Sequence, residues 1–168
     1  RVFAKIIYTG PAPVPNLVPI GRAMAAGIPG SVERPRGFAY LDVPGVDPST
    51  AYVSPGYTFN ADFLPTGIFA KAPGAGPIAE AFLIGHFDRN EAERTAEDYR
   101  VYLRREATDF SEKIVQGRLR VWWARDPDQG RVICTRAGTF VIGVVRPRSY
   151  ADGERILYEI ANRIESSR

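Results

Sequence analysis

The chain predicts an α+β protein: an antiparallel sheet with two amphipathic helices packed on it, preceded by a Pro/Gly-rich extended arm. Three patterns lead there. Residues 118–145, RLRVWWARDPDQGRVICTRAGTFVIGVV, hold three short runs of β-branched and aromatic residues separated by turn formers, as in an antiparallel three-strand meander. An apolar stripe of helical period lies on each side of that meander. Most of the fourteen prolines and sixteen glycines fall before residue 78, so irregular extended chain is expected on the N-terminal side. With 168 residues and 45% hydrophobic content, one domain is the default: an arm over residues 1–36 and a body over residues 37–168.

In the arm, residues 2–8 alternate weakly and suggest a short strand that Gly10 and Pro11 end. Prolines then recur as far as Pro48, each fixing φ and removing a donor, so the segment reads as extended, with one short helix at residues 20–26. Prolines limit the entropy lost on ordering, which suits an arm that lies along a neighbour, with Pro13, Pro15 and Leu17 as contacts. The chain opens at Arg1, and RVFAKIIYTG is compatible with a segment that follows a removed leader or a membrane anchor.

In the body, residues 37–43 (GFAYLDV) alternate and predict a first strand, stopped by Pro44 and Gly45. Residues 51–59 predict two extended pieces about a Pro55-Gly56 turn, residues 63–68 a further short segment, and KAPGAGP a loop. That loop has two glycines but neither a Lys-Ser or Lys-Thr pair nor a following helix, so it does not read as a phosphate cradle. Residues 78–87 predict a buried strand with Phe82, Ile84 and His86 on one face and Ala81 and Leu83 on the other. Asp88 or Asn90 then caps a helix whose stripe, Ala92, Ala96, Tyr99, Leu103, Ala107, Phe110 and Ile114, runs to near Gly117. In the meander, Leu119, Val121 and Trp123 alternate with Arg118, Arg120 and Trp122. Its last strand is apolar on both faces, the mark of a central strand. Ser149 caps a closing helix that carries Ile156, Leu157, Ile160, Ala161 and Ile164.

Charge is distributed unevenly. The net charge is +3, and nineteen of the basic residues are arginines against three lysines. From residue 88 to 112 there are eight carboxylates and five arginines, whereas residues 118–148 carry seven arginines and two aspartates. If Arg118, Arg120 and Trp122 share an exposed strand face, they suit an acidic protein, anionic head groups or nucleic acid, with Trp122 as anchor. Arg146 and Arg148 extend the same basic stretch.

No catalytic set, cofactor motif or metal-ligand spacing emerges. The single cysteine, Cys134, excludes an internal disulfide, and its mid-strand position predicts a buried thiol. The single histidine, His86, lies in an apolar strand, where a structural role is the commoner outcome. Only a Cys134–His86 pair would revive an enzyme. No run of apolar residues is long enough to span a bilayer.

The element order, carried by the GFAYLDVPG entry segment, the helix over residues 92–114 and TFVIGVV before the last helix, resembles the PsbP/Mog1-like fold of photosystem-associated lumenal proteins and bacterial lipoproteins. The resemblance leaves out residues 1–36. It implies a non-catalytic, extracytoplasmic or organellar accessory protein at the membrane periphery. The expectation is therefore an accessory or assembly subunit that docks onto other protein subunits of a membrane-associated complex through the arm and the Arg/Trp sheet surface. The alternatives are a nucleic-acid or ribosome-associated protein using the meander arginines, and a small hydrolase using His86 or Cys134.

Overall fold

A computed structural model of the chain describes residues 16–27, 36–54, 56–115 and 119–167. Backbone contacts divide the chain into two units, Arg1–Arg34 and Pro35–Arg168. The first holds helix α1 (Val18–Ala26), whose start is capped by Asn16 Oδ1, which accepts from the Val18 amide at 3.1 Å. The expected strand at residues 2–8, together with Pro13, Pro15 and Arg118, lies outside the described residues.

The second unit is an α+β body built on one seven-stranded antiparallel sheet. Its elements in order are α2 (Gly37–Tyr40), β1 (Tyr52–Ser54), β2 (Gly67–Lys71), β3 (Glu80–Gly85), α3 (Arg89–Glu106), β4 (Thr108–Val115), β5 (Leu119–Asp126), β6 (Gly130–Ala137), β7 (Phe140–Val145) and α4 (Tyr150–Ser166). The sheet order is β1-β2-β3-β7-β6-β5-β4. Two meanders, β1–β3 and β4–β7, are thus joined side by side where β3 pairs with β7, from Glu80↔Val145 to Gly85↔Phe140.

The two long helices cover opposite faces. On one face, Ile156, Leu157, Ile160, Ala161 and Ile164 of α4 pack on Leu83, Val121, Trp123, Ile133, Ile142 and Val144. On the other, Ala96, Tyr99 and Leu103 of α3 join Phe82, Ile84, Trp122, Val132, Cys134, Val141 and Val145. Period-two alternation divides the central strands between these two cores, so β7 is apolar throughout and β3 is apolar from Ala81 to Ile84.

Both long helices are started by the side chain of the N-cap residue. Asp88 Oδ1 accepts from the amides of Asn90 (2.7 Å) and Glu91 (2.9 Å), while Glu91 reaches back to the Phe87 amide. Ser149 Oγ accepts from the Asp152 amide at 3.2 Å and donates to its carboxylate at 2.7 Å.

Two expectations are corrected. Residues 37–43 form no strand: α2 occupies the start, and Leu41 and Val43 turn into the α4-side core. Alternation over so few residues does not separate a strand from a helical turn. The helix after β3 ends at Glu106 rather than near Gly117, its Ala107 amide donating to Leu103 O at 3.0 Å. Phe110 and Ile114, read as the end of the helical stripe, lie on β4, because TDFSEKIV alternates as well as it spirals. Asp109, at φ 56°, sits in the irregular step between Thr108 and Ser111, where the pairing with β5 shifts register.

Close approach of the ring of Phe82 to the backbone of β7 requires glycine at 143. A Cβ there would stand 2.4 Å from two Phe82 ring atoms and 2.6 Å from Ile133 O. Gly143→Ala is therefore expected to destabilise the body by about 1–3 kcal/mol. Denaturant unfolding checks this; an unchanged midpoint would contradict the packing described.

Candidate functional site

The body offers one groove in which several of the expected residues meet. It lies between α3 and the strands β5 and β6, has a volume of about 250 Å3, and is lined by Glu93, Ala96, Glu97, Arg120, Trp122, Thr135 and Arg136. Glu93, Ala96 and Glu97 are spaced three and four apart, so they share one face of α3. Arg120 and Trp122 alternate on one face of β5. Val121 pairs with Thr135, the last pair of that ladder, and the Thr135 hydroxyl donates to Arg120 O at 2.6 Å.

Arg120 and Arg136 both line the groove, and their like charges repel. The arrangement is sustained by Glu93, whose carboxylate lies 2.5 Å from Arg136 Nε, and by Gly138 O, which accepts from Arg136 Nη1 at 3.1 Å. Glu97 is held by Arg100 at 2.5 Å, and Arg100 also lies 3.5 Å from Glu112 of β4. The hydrogen bond from Arg100 keeps the Glu97 carboxyl below its ordinary range, with Arg100's charge and then Arg120's adding to the effect and slight burial opposing it. Each carboxylate of the groove thus has an arginine of its own. Among the described residues the Arg120 guanidinium has neither a hydrogen bond nor an ion pair, although the Arg120 carbonyl accepts from Thr135 Oγ1 at 2.6 Å, and the residue is exposed.

Trp122 is not the surface anchor expected of it. At 4% exposure it belongs to the α3-side core, because α3 covers the face of the sheet on which Arg120 and Trp122 lie. Its Nε1 is buried and has no acceptor. An N–H donor left in that state costs about 1–3 kcal/mol, so it calls for an explanation.

The other candidates are dispersed. Arg146, at the end of β7 with φ 54°, forms an ion pair with Glu80 of β3. Arg148 is paired with Asp152 on α4 at 3.2 Å. Leu17 is half-buried just before α1, and its carbonyl accepts from the Gly21 amide at 3.0 Å. Arg125 and Arg131, which pair across β5 and β6, lie on the α4 side, with Arg125 3.6 Å from Asp109 and Arg131 over the ring of Tyr150. The meander arginines therefore do not form one face.

His86 and Cys134 do not converge. Both belong to the α3 side, but Cys134 pairs with Gly143, which pairs with Phe82, and His86 lies four residues beyond Phe82. Two strand spacings and four residues of rise put them roughly 16 Å apart. Burial pushes the Cys134 thiol far above its ordinary pKa. Among the described residues no three His, Cys, Asp or Glu side chains gather as a metal site, and no described helix is long and apolar enough to cross a membrane.

The sequence pointed to Arg120 and Trp122 but missed Glu93, Glu97, Thr135 and Arg136 as their neighbours. The available signal was the spacing of Glu93 and Glu97 around Ala96, the smallest apolar residue that the stripe could offer over Trp122. No protein-family model, curated protein or solved structure matches this chain.

His86 supplies a test of the core. Its Nε2 is buried without a partner, and burial lowers its pKa, with Glu91 and Asp88 opposing. The unfolded chain then binds the proton more readily, so this contribution to stability is present above the unfolded pKa of about 6.5 and lost as pH falls through the folded one. His86→Gln is expected to lose less of its melting temperature than the unsubstituted protein between about pH 7.5 and 5.5. Equal losses would contradict the assignment.

Proposed function

We propose that this chain is a non-catalytic accessory or assembly subunit that docks onto a larger, membrane-associated complex, chiefly through its N-terminal arm. The observation that carries the reading is α1. Of its nine residues only Arg22 is charged, and Val18, Ile20 and Met24 are exposed. A short apolar helix in that state is marginal alone and gains stability by burying its face on another surface. The body contributes Arg120 and Arg148, which remain at the surface, while Trp122 is withdrawn into the core. Of the stretches that carry the resemblance to the PsbP/Mog1-like fold, only TFVIGVV before the last helix keeps its expected element throughout, so the reading rests on α1 rather than on that analogy.

The nucleic-acid alternative is less well supported. Of the six described meander arginines, Arg125, Arg136, Arg146 and Arg148 each have a carboxylate partner, and the set is split between the two faces of the sheet. A surface selected for phosphate contacts would keep such guanidinium groups free.

Deleting residues 1–36 is expected to leave the unfolding transition of the body unchanged and to abolish its co-sedimentation with the membrane fraction of its source. The double variant Ile20→Asp, Met24→Asp is expected to do the same. Undiminished association in both would overturn the role of the arm.

A further inference from the structure

We propose that the N-terminal segment binds the surface of an anionic lipid bilayer, with α1 lying at the boundary between head groups and acyl chains. The proposal rests on the docking role of the arm given above and names what the arm meets: lipid itself rather than a groove on a protein.

Charge gives the first reason. Residues 1–32 hold three basic side chains, Arg1, Lys5 and Arg22, and no carboxylate, whereas residues 33–168 hold nineteen basic and nineteen acidic ones. The whole net charge of +3 therefore resides in the N-terminal segment, and the rest of the chain is neutral. Such a segment is drawn to a negatively charged surface, by about five-fold in affinity for each basic residue close to it. Yet from Ile6 to Val32 only Arg22 is charged. An acidic protein or a nucleic acid would be met by more cations over that length, so the partner must be apolar as well as anionic. A bilayer with anionic head groups is both.

The shape of α1 gives the second. Val18, Ile20 and Met24 are 55%, 51% and 42% exposed. Ile20 and Met24, four residues apart, share one face, and Val18, Arg22 and Ala26 share the opposite one. A helix that docks in a protein groove buries one apolar face and keeps a polar face in water, but the second face of α1 offers a single polar side chain. An arginine can lay its methylene stem along apolar surface and keep its guanidinium among phosphates, so Arg22 fits the head-group layer while Ile20 and Met24 face the acyl chains. The start of the helix brings few bare donors with it. Asn16 Oδ1 accepts from the Val18 amide at 3.1 Å, Pro19 has no amide hydrogen, and the Gly21 amide donates to Leu17 O at 3.0 Å. Nine residues make α1 about 14 Å long, under half of a hydrocarbon core of about 30 Å, so it lies in one leaflet and does not span.

Flotation of the full chain with protein-free vesicles tests this, using an equimolar mixture of phosphatidylcholine and phosphatidylglycerol and, as the control without net charge, phosphatidylcholine alone. The chain is expected to float with the mixed vesicles and to bind them at least about ten-fold more tightly than phosphatidylcholine. Arg22→Gln is expected to weaken that binding about five-fold, and Ile20→Asp with Met24→Asp to abolish it, while the unfolding transition of the body stays unchanged. No flotation with the mixed vesicles, equal binding to the two kinds of vesicle, or undiminished flotation of the double variant would overturn the proposal. If the vesicles fail but association with the native membrane fraction still depends on the arm, the docking role stands and its partner is a protein. Association that survives deletion of residues 1–36 overturns the docking role itself.

Discussion

The pairing of β3 with β7 is the constraint on which the body depends. It is the line along which the β1–β3 meander meets the β4–β7 meander, six residue pairs long, and both of its faces are covered by apolar packing. Backbone donors and acceptors buried there find partners only across that ladder, so the two halves cannot separate without exposing unpaired polar groups. Phe82 lies over Gly143, the two residues being cross-strand partners, and the absence of a side chain at 143 lets the ring settle onto the backbone. At the open end, Arg146 adopts a left-handed backbone, its amide donates to Arg131 O at 2.7 Å, and its side chain pairs with Glu80 back across the join. A non-glycine residue in that region is costly, and these contacts hold it there.

Covering both faces of the sheet determines where function can lie. Cys134, Trp122 and Tyr99 are drawn into the α3-side core, and the Tyr99 hydroxyl, like the Cys134 thiol, is driven by burial toward its neutral form. Groups that sequence alone makes eligible for chemistry are thereby withdrawn from solvent. What remains for contact is peripheral, and includes the exposed residues of α1, exposed apolar side chains of the body such as Phe87, Ile78 and Ile114, and the groove beside α3. The edge strand β4 is less suited to partner exchange, since the irregular step at Asp109 and the charged Lys113 guard it. Lys113 is itself engaged, lying 2.9 Å from Glu154 of α4 and over the ring of Trp123.

Where one periodicity was unopposed, the sequence was readable. The meander, the two-faced strand β7, the division of β3 into Phe82 and Ile84 against Ala81 and Leu83, and the Asp88 and Ser149 caps follow from alternation and capping alone. The misreadings came where two periods fit the same letters. Phe110 and Ile114 continue the stripe of α3 at steps of three and four, yet also alternate along β4, and pairing with β5 decided between them. GFAYLDV alternates, but the edge position beside β2 is taken by β1, and α2 packs instead. Trp122 shows the limit of face assignment: its alternation with arginines was clear, but whether a helix covers that face is a matter of chain return. The groove was half legible for the same reason, since Arg120 and Trp122 are neighbours on one strand whereas Glu93 and Glu97 arrive from an element more than twenty residues earlier.

Native-state hydrogen exchange reads the central claim directly. If the β3–β7 ladder joins the two halves of the body, the amides within it exchange only through global unfolding, and slowest of all the strands, while those of the edge strands β1 and β4 open by local fluctuation. Amides of β7 that exchange as fast as those of β4 would contradict the account.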